Sequence, residues 1–390
     1  MAQTGVTMTV EEIPKGWSRK KLKELLSVKN GKTDTVDAVE DGQYPLFDRS
    51  VLVKKSDKYL FDCEAIIIPG EGKDFSPKYY KGKFDLHQRA YAAYPRTTDV
   101  NAKFMYYAIT NVRNVLFLHA VGSTVKSLRL GIIEDLEIDI PLLKEQEKIA
   151  GILTTVDEDI QETDNIIDNC ERVKKALTQT LLTNGLPSRH KKFKKTEIGN
   201  IPEDWEVVNL GEVLELSKNK AYPPYKNKIY VGLENINSNS NTCSSVNNAE
   251  GIKSITNVFN KNEILYGKLR PNLNKAIIAE FEGICSGEIL VLRPNRKSQS
   301  YFLYLHMHSE NFKEYNSSLA FGTKMPRTSF NLLSKYKIPL PPIEEQHRIS
   351  QIFIQFDNRI NYEKSKKLKL EILKNSLMQK LLSGEIRVKV

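Results

Sequence analysis

A repeat runs the length of this chain and constrains its fold more than any single motif does. Ile13-Pro14-Lys15-Gly16-Trp17 returns as Ile201-Pro202-Glu203-Asp204-Trp205. Leu22, Glu24, Leu26 and Lys32 return as Leu210, Glu212, Leu214 and Lys220. Gly122-Ser123-Thr124 returns as Gly322-Thr323-Lys324. Pro141, Glu145, Gln146, Ile149, Ile152, Asp157 and Ile160 return as Pro341, Glu345, Gln346, Ile349, Ile352, Asp357 and Ile360, at a constant offset of 200. The offset grows from 188 at the start to 200 at the end, so the second copy carries about a dozen extra residues, expected in loops. A duplicated chain presents two similar surfaces, so its target is expected in two parts.

The repeat has four segments. Residues 1–141 and 189–340 read as mixed α+β domains. Ala65-Ile66-Ile67-Ile68-Pro69, Lys275–Ala279 and Glu288–Pro294 are short apolar runs of the buried-strand kind. Ala102–Leu118 and Ser300–Tyr315 carry apolar and aromatic residues at helical spacing. Residues 142–188 and 341–390 differ in kind. Ile149, Leu153, Val156, Ile160, Thr163, Ile167, Cys170, Lys174, Leu177 and Leu181 step by 4 and 3 in strict alternation. Ile349, Phe353, Phe356, Ile360, Glu363, Lys367, Leu370, Lys374, Leu377 and Leu381 do the same. Each is a heptad seam, as a coiled coil requires. A helix over Glu145–Leu182 spans about 57 Å at 1.5 Å per residue, and Gly185 and Gly384 suit C-caps. The second domain links the end of one helix to the start of the other, so the compact arrangement is an antiparallel pair with one domain at each end. The fold class expected is therefore α+β, with two similar domains and two long helices in a pseudo-two-fold repeat.

Charge is uneven. Residues 1–141 hold 21 basic and 19 acidic residues, residues 142–188 hold 5 and 9, and residues 190–340 hold 21 and 14. A basic globular domain beside an acidic helical stretch points to an anionic partner. Two readers held a few tens of ångströms apart suit duplex DNA, whose repeat is about 34–36 Å per turn. Gly267-Lys268-Leu269-Arg270-Pro271-Asn272-Leu273-Asn274-Lys275 sets cations and amides around a Pro turn. Arg and Asn can read guanine and adenine, and Lys can neutralise phosphate. Thr323, Lys324 and Arg327 form a second such loop, and Ser123, Thr124 and Lys126 are its counterpart. Lys73, His87, Gln88, Arg89, Lys218 and Lys220 complete the candidate DNA contacts.

Catalytic and metal motifs do not stand out. Tyr222-Pro223-Pro224-Tyr225 resembles the motif of amino-group DNA methyltransferases but has Tyr where a short polar side chain must accept from the target amine. Gly70-Glu71-Gly72-Lys73-Asp74 lacks P-loop spacing, and no HExxH, GxSxG or nuclease carboxylate set appears. Cys63, Cys170, Cys243 and Cys285 are scattered without metal-site spacing, as suits a reduced, cytoplasmic protein. No apolar run reaches the roughly 18 residues of a membrane span. The chain is expected to bind no metal or cofactor and to be non-catalytic by itself.

Taken together these pieces resemble the specificity subunit of a type I restriction–modification system. The resemblance rests on the paired Ile-Pro…Trp motifs, on Gly122–Ser127, on the junctions Ile140–Gln146 and Ile338-Pro339-Leu340-Pro341-Pro342-Ile343-Glu344-Glu345-Gln346, and on the helix ends Leu177…Gln179…Leu181-Leu182 and Leu377…Gln379…Leu381-Leu382. Leu142 and Lys144 depart from Pro342 and Glu344 at the first junction. It implies two target-recognition domains, each reading half of a bipartite double-stranded DNA site, with the coiled coil setting the spacer. It also implies two methyltransferase (modification) subunits carrying S-adenosylmethionine, and a restriction subunit using ATP and magnesium. A two-headed protein-binding scaffold is the alternative, and it would carry apolar, aromatic loops in place of the Lys/Arg/Asn loops.

Overall fold

The structure, a computed structural model, describes residues 13–389 apart from 73, 188, 239–240, 244 and 321–324. The chain divides into two units, Met1–Asn165 with Lys364–Val390, and Ile166–Glu363. Each unit therefore holds one mixed domain, the near half of one long helix and the far half of the other.

The first unit is built on a six-stranded sheet of β1 (Leu26–Asn30), β2 (Tyr44–Phe47), β3 (Lys54–Ser56), β4 (Phe61–Pro69), β5 (Lys78–Leu86) and β6 (Ala90–Pro95), in the order β1-β6-β4-β5-β2-β3. The Ala65–Pro69 run falls inside β4 and is apolar throughout because both of its faces are covered. Ala65 and Ile67 join Phe47, Phe61 and Phe84 on one side. Ile66 and Ile68 join Phe104, Met105 and the long helices on the other.

In the second unit the strands of the main sheets are β7 (Leu214–Leu216), β8 (Lys220–Ala221), β9 (Ile229–Val231), β10 (Asn247–Asn248), β11 (Thr256–Phe259), β12 (Ile264–Gly267), β13 (Ala276–Ile278), β14 (Gly283–Cys285) and β15 (Ile289–Pro294). They form a four-stranded sheet, β7-β15-β12-β13, and a five-stranded sheet, β8-β11-β14-β9-β10. Period-2 alternation again feeds two cores. Ile264, Tyr266 and Leu292 face the helices, while Leu265, Val291 and Ile277 face the strands of the other sheet.

Two expected helices are each split. Residues 102–118 form Ala102–Asn111 and Arg113–His119, interrupted at Val112. Residues 300–315 form Ser300–Met307 and Glu310–Leu319, because Ser309 leaves helical geometry and caps the second helix by accepting from the Phe312 amide at 3.3 Å.

The long helices are continuous over Leu143–Asn184 and Ile343–Leu382. All twenty predicted seam positions are buried or half-buried. In the first unit Lys374 Nζ lies 2.6 Å from Asp157 and Lys367 Nζ 2.7 Å from Asp164. Seven residues up one helix match seven down the other, so the pair is antiparallel. In the second unit Leu181 and Leu182 share a core with Ile349 and Phe353, and Lys174 pairs with Asp357, which is the same direction. Gly185 (φ 73°) and Gly384 (φ 71°) end the helices in left-handed geometry, as C-caps require.

The repeated residues are the joints of each unit. Gln146 Oε1 accepts from the Asn101 amide at 2.8 Å, and its Nε2 donates to the carbonyls of Asp99 and Pro141. Gln346 does the same with the Gln299 amide at 3.0 Å and the carbonyls of Lys297 and Pro341. Glu145 takes a bidentate pair from Arg387 at 2.7 and 2.8 Å, and Arg387 lies over the Trp17 ring. Glu345 accepts from Trp205 Nε1 at 3.2 Å and sits 3.3 Å from Arg189 Nε. Asp157 accepts from the Tyr107 hydroxyl at 2.7 Å, and Asp357 from the Tyr301 hydroxyl. Each aspartate thus ties its domain to the lysine in the opposite helix's seam.

Candidate nucleic-acid interface

The best-built candidate surface belongs to the second unit, where two loops are clasped together. The Arg270 amide donates to the Pro326 carbonyl at 2.8 Å, the Thr328 amide donates to the Lys268 carbonyl at 3.0 Å, and Leu269 bridges Arg327. Arg270 (φ 50°) and Asn274 (φ 44°) are both left-handed, which folds Pro271–Leu273 into one 3₁₀ turn. Non-glycine residues adopt this conformation at a cost and hold it only where surrounding contacts dictate it.

Those contacts lie beneath the loop. Asn316 Nδ2 donates to the Tyr266 hydroxyl at 2.8 Å, and that hydroxyl donates to Asn274 Oδ1 at 3.1 Å. The Thr328 hydroxyl donates to Asn316 Oδ1, and the Asn274 amide nitrogen reaches His308 Nδ1 at 3.4 Å. Asn274, Asn316 and Thr328 are all essentially buried. Burial pushes the Tyr266 hydroxyl up out of its ordinary range and holds His308 down at about 4, so both stay neutral. Neighbouring His306 is driven to about 3 by burial alone.

This corrects the sequence reading of Asn274. Its amide is turned inward and positions the loop, so it is not offered to a base. Arg270 and Asn272 are exposed on the turn, and Lys268 is half-buried at its start. Lys275 is drawn aside, donating to the Leu233 carbonyl at 2.7 Å, and Lys220 is bonded to Asn257. Arg327 is exposed but lies 3.3 Å from Glu288. Lys218 is exposed on the strand-to-strand loop after β7. Thr323 and Lys324 lie outside the described residues.

In the first unit the candidates converge less tightly. Gln88 Nε2 donates to Asp34 at 3.0 Å, and Arg89 pairs with Glu71 at 2.9 Å. His87 accepts on Nδ1 from the Arg89 amide at 3.1 Å. Ser123 and Thr124 are exposed, and Lys126 folds back over the Phe117 ring. The Glu71-Gly72 strand pairs with Lys126-Ser127, bringing these two loops together. Lys73 lies outside the described residues.

His190, Asp204 and Glu345 could by distance hold a cation, their ligand atoms lying within 4.8 Å of one another. Their chemistry is that of an ion pair, because Arg189, Trp205 Nε1 and the Leu186 amide already direct donors at Glu345. Tyr222 is exposed, but Tyr225 is buried and donates to the carbonyls of Ala221 and Ser254, so this Pro-Pro turn closes a loop.

Sequence reasoning missed the two tyrosines that tie domains to helices. Tyr107 follows Phe104 by three positions, whereas Tyr301 precedes the matching Phe302 by one. They sit one helical turn apart in the alignment, on the same face, so only a helical period could have matched them.

A family model for the type I restriction modification DNA specificity domain matches residues 14–172 and 202–372. The chain belongs to that family. It is 28% identical over 407 residues to the type I restriction enzyme EcoDI specificity subunit of Escherichia coli, covering 97% of this chain and 90% of that one. It is 27% identical over 411 residues to the MjaVIII specificity subunit of Methanocaldococcus jannaschii, covering 97% and 94%. Among solved structures, the S subunit of a type I system from M. genitalium matches with a TM-score of 0.67 at 18% identity, over 94% of this chain and 96% of that one. That likeness concerns the fold, and it agrees with the mixed domains and long helices described above. Among the described residues, no helix is long and apolar enough to cross a membrane.

Proposed function

We propose that this chain selects the DNA sequence for a type I restriction–modification complex, each domain reading one half of a bipartite, asymmetric site and the helix pair setting the unread spacer. The observation that carries the reading is a repeated frame bearing unlike loops. Gln146 and Gln346, and Asp157 and Asp357, make equivalent joints, while Glu145 and Glu345 fill the same position with different partners, Arg387 in one unit and Trp205 with Arg189 in the other. Beyond the Gly122 and Gly322 loops that belong to the repeat, the surfaces those joints carry differ: one has the clasped Arg270 turn, the other the Arg89 and Lys126 loops.

In this reading the chain itself is non-catalytic. Two modification subunits bring S-adenosylmethionine and methylate adenine, and a restriction subunit uses ATP and magnesium. Leu368 and Ile372, four residues apart, are 58% and 61% exposed on the second long helix and suit the docking of such partners.

The test is a methylome of cells expressing the chain with its own modification subunits. A two-part methylated motif is expected, and a contiguous motif or no motif overturns the reading. Arg270→Ala is expected to relax one position of one half-site, a loss of about 1–3 kcal/mol of discrimination, while leaving the other half unchanged.

A further inference from the structure

In the first unit β2 and β3 form a hairpin, Leu46 opposite Lys54, whose tip is Asp48–Val53. Neither the repeat nor the motifs single it out. Its apex is apolar and faces solvent: Val51 is 90% exposed and Leu52 81%. An apolar pair is normally buried, so this exposure needs a reason.

The hairpin is held firmly below the apex. Asp48, 3% exposed, accepts from the Ser50 amide at 2.7 Å and pairs with Lys54 at 3.0 Å. Lys78, from β5 beneath, donates to the carbonyls of Ser50 and Val51. The Ser50 amide and the Ser50 and Val51 carbonyls are thus engaged while the Val51 and Leu52 side chains are left outside.

Cations flank the tip: Arg49, Lys54, Lys55 and Lys58, against Asp57, Asp48, which pairs with Lys54, and Glu71, which holds Arg49. Arg49 and Arg89 share Glu71, at 3.5 and 2.9 Å, so the hairpin is continuous with the loops already proposed to meet DNA. A short apolar wedge in a basic collar is how proteins enter the minor groove, unstacking a base step and kinking the duplex by about 20–90°.

Resting on the reading of this chain as a DNA-sequence selector, we propose that the Asp48–Val53 hairpin is a DNA-inserting wedge, with Val51 and Leu52 entering between base pairs while Arg49 and Lys55 hold the flanking phosphates.

The test uses the full chain in complex with its modification subunits. A bound duplex is selected from a randomised pool, and 2-aminopurine is then placed at successive positions of it. Wild type is expected to raise the fluorescence at one step and to shorten the end-to-end distance read by energy transfer. Val51→Ser with Leu52→Ser is expected to abolish both signals and weaken binding about tenfold, with the salt dependence unchanged because no charge is lost. Lys55→Gln is expected to lower the slope of log affinity against log salt by about 1 while keeping the fluorescence rise. Both tip residues face solvent, so the substitutions spare the core. If the double variant binds and unstacks DNA as wild type does, the wedge is overturned and the DNA reading stands. If the double variant instead sheds its modification subunits with DNA signals intact, the tip is a protein-docking element and the proposal falls. Failure of the wild-type complex to bind any duplex in a salt-dependent way overturns the DNA reading itself.

Discussion

At the residue scale, the buried groups of the second unit explain both a success and an error of sequence reading. Arg270 and Asn274 look alike as loop residues, each polar and beside a proline turn. Only the packing separates them: Arg270 is exposed, while Asn274 is sealed against Tyr266 and His308. No local pattern reports that, because one of the residues enclosing Asn274, His308, lies 34 positions away just past the end of a helix. His306 adds a pH dependence. It is fully buried against Phe302, and its Nε2 has no hydrogen-bond partner among the described residues. Its pKa falls from 6.5 when unfolded to about 3 when folded. Between these values the unfolded chain binds more protons, so stability is full above pH 6.5 and is lost as pH falls, by about 1.4 kcal/mol per unit. His306→Leu is expected to reduce the pH slope of stability by that amount, leaving the share that His308 contributes. Denaturant midpoints taken from pH 7 to 5 check it, and an unchanged slope would show that His306 binds its proton alike in the folded and unfolded chain.

At the element scale, the heptad seams were readable because a 4–3 step is a purely local signal, and all twenty positions point inward. The polar seam residues were also visible, but their partners were not. Lys174 and Lys374 are satisfied by Asp357 and Asp157 on the opposite helix, which ion-pairs the seam in one register. The helix breaks at Val112 and Ser309 were missed, since apolar spacing persists through both. The C-caps were legible, and the one at Gly384 abuts Pro14 and Trp17 of the first Ile-Pro…Trp motif. A Cβ on Gly384 would lie 2.5 Å from Pro14 Cγ, and one on Gly185 would lie 2.7 Å from His190. Gly384→Ala, strained by both its φ and this contact, is expected to destabilise the first unit by about 1–3 kcal/mol. A lowered thermal midpoint in the full chain would show it, and an unshifted one would mean that Pro14 moves aside freely.

At the scale of the whole molecule, duplication was the most legible property and base specificity the least. The repeat lies mainly in frame residues, and Gln146 and Gln346, like Asp157 and Asp357, make the same bonds in their own units, whereas the loops that would read bases are largely unlike. The long helices are continuous through Leu143–Asn184 and Ile343–Leu382. If they set the spacer, adding one heptad to both should lengthen the gap between methylated half-sites. A methylome with the original gap would assign the spacing to the domains alone.

The tyrosine joints carry a consequence for chimeras. Asp157 and Asp357 offer the same acceptor, but Tyr107 and Tyr301 reach it from different turns of their helices. Either socket can therefore receive a foreign head, provided the graft brings a hydroxyl on that helical face. Splice points chosen inside Pro141–Gln146 or Pro341–Gln346 would sever the glutamine joints, whereas cuts placed beyond them would transplant a head with its own fastening. If the domains read DNA as proposed, exchanging one of them would give a new site without redesign of the long helices.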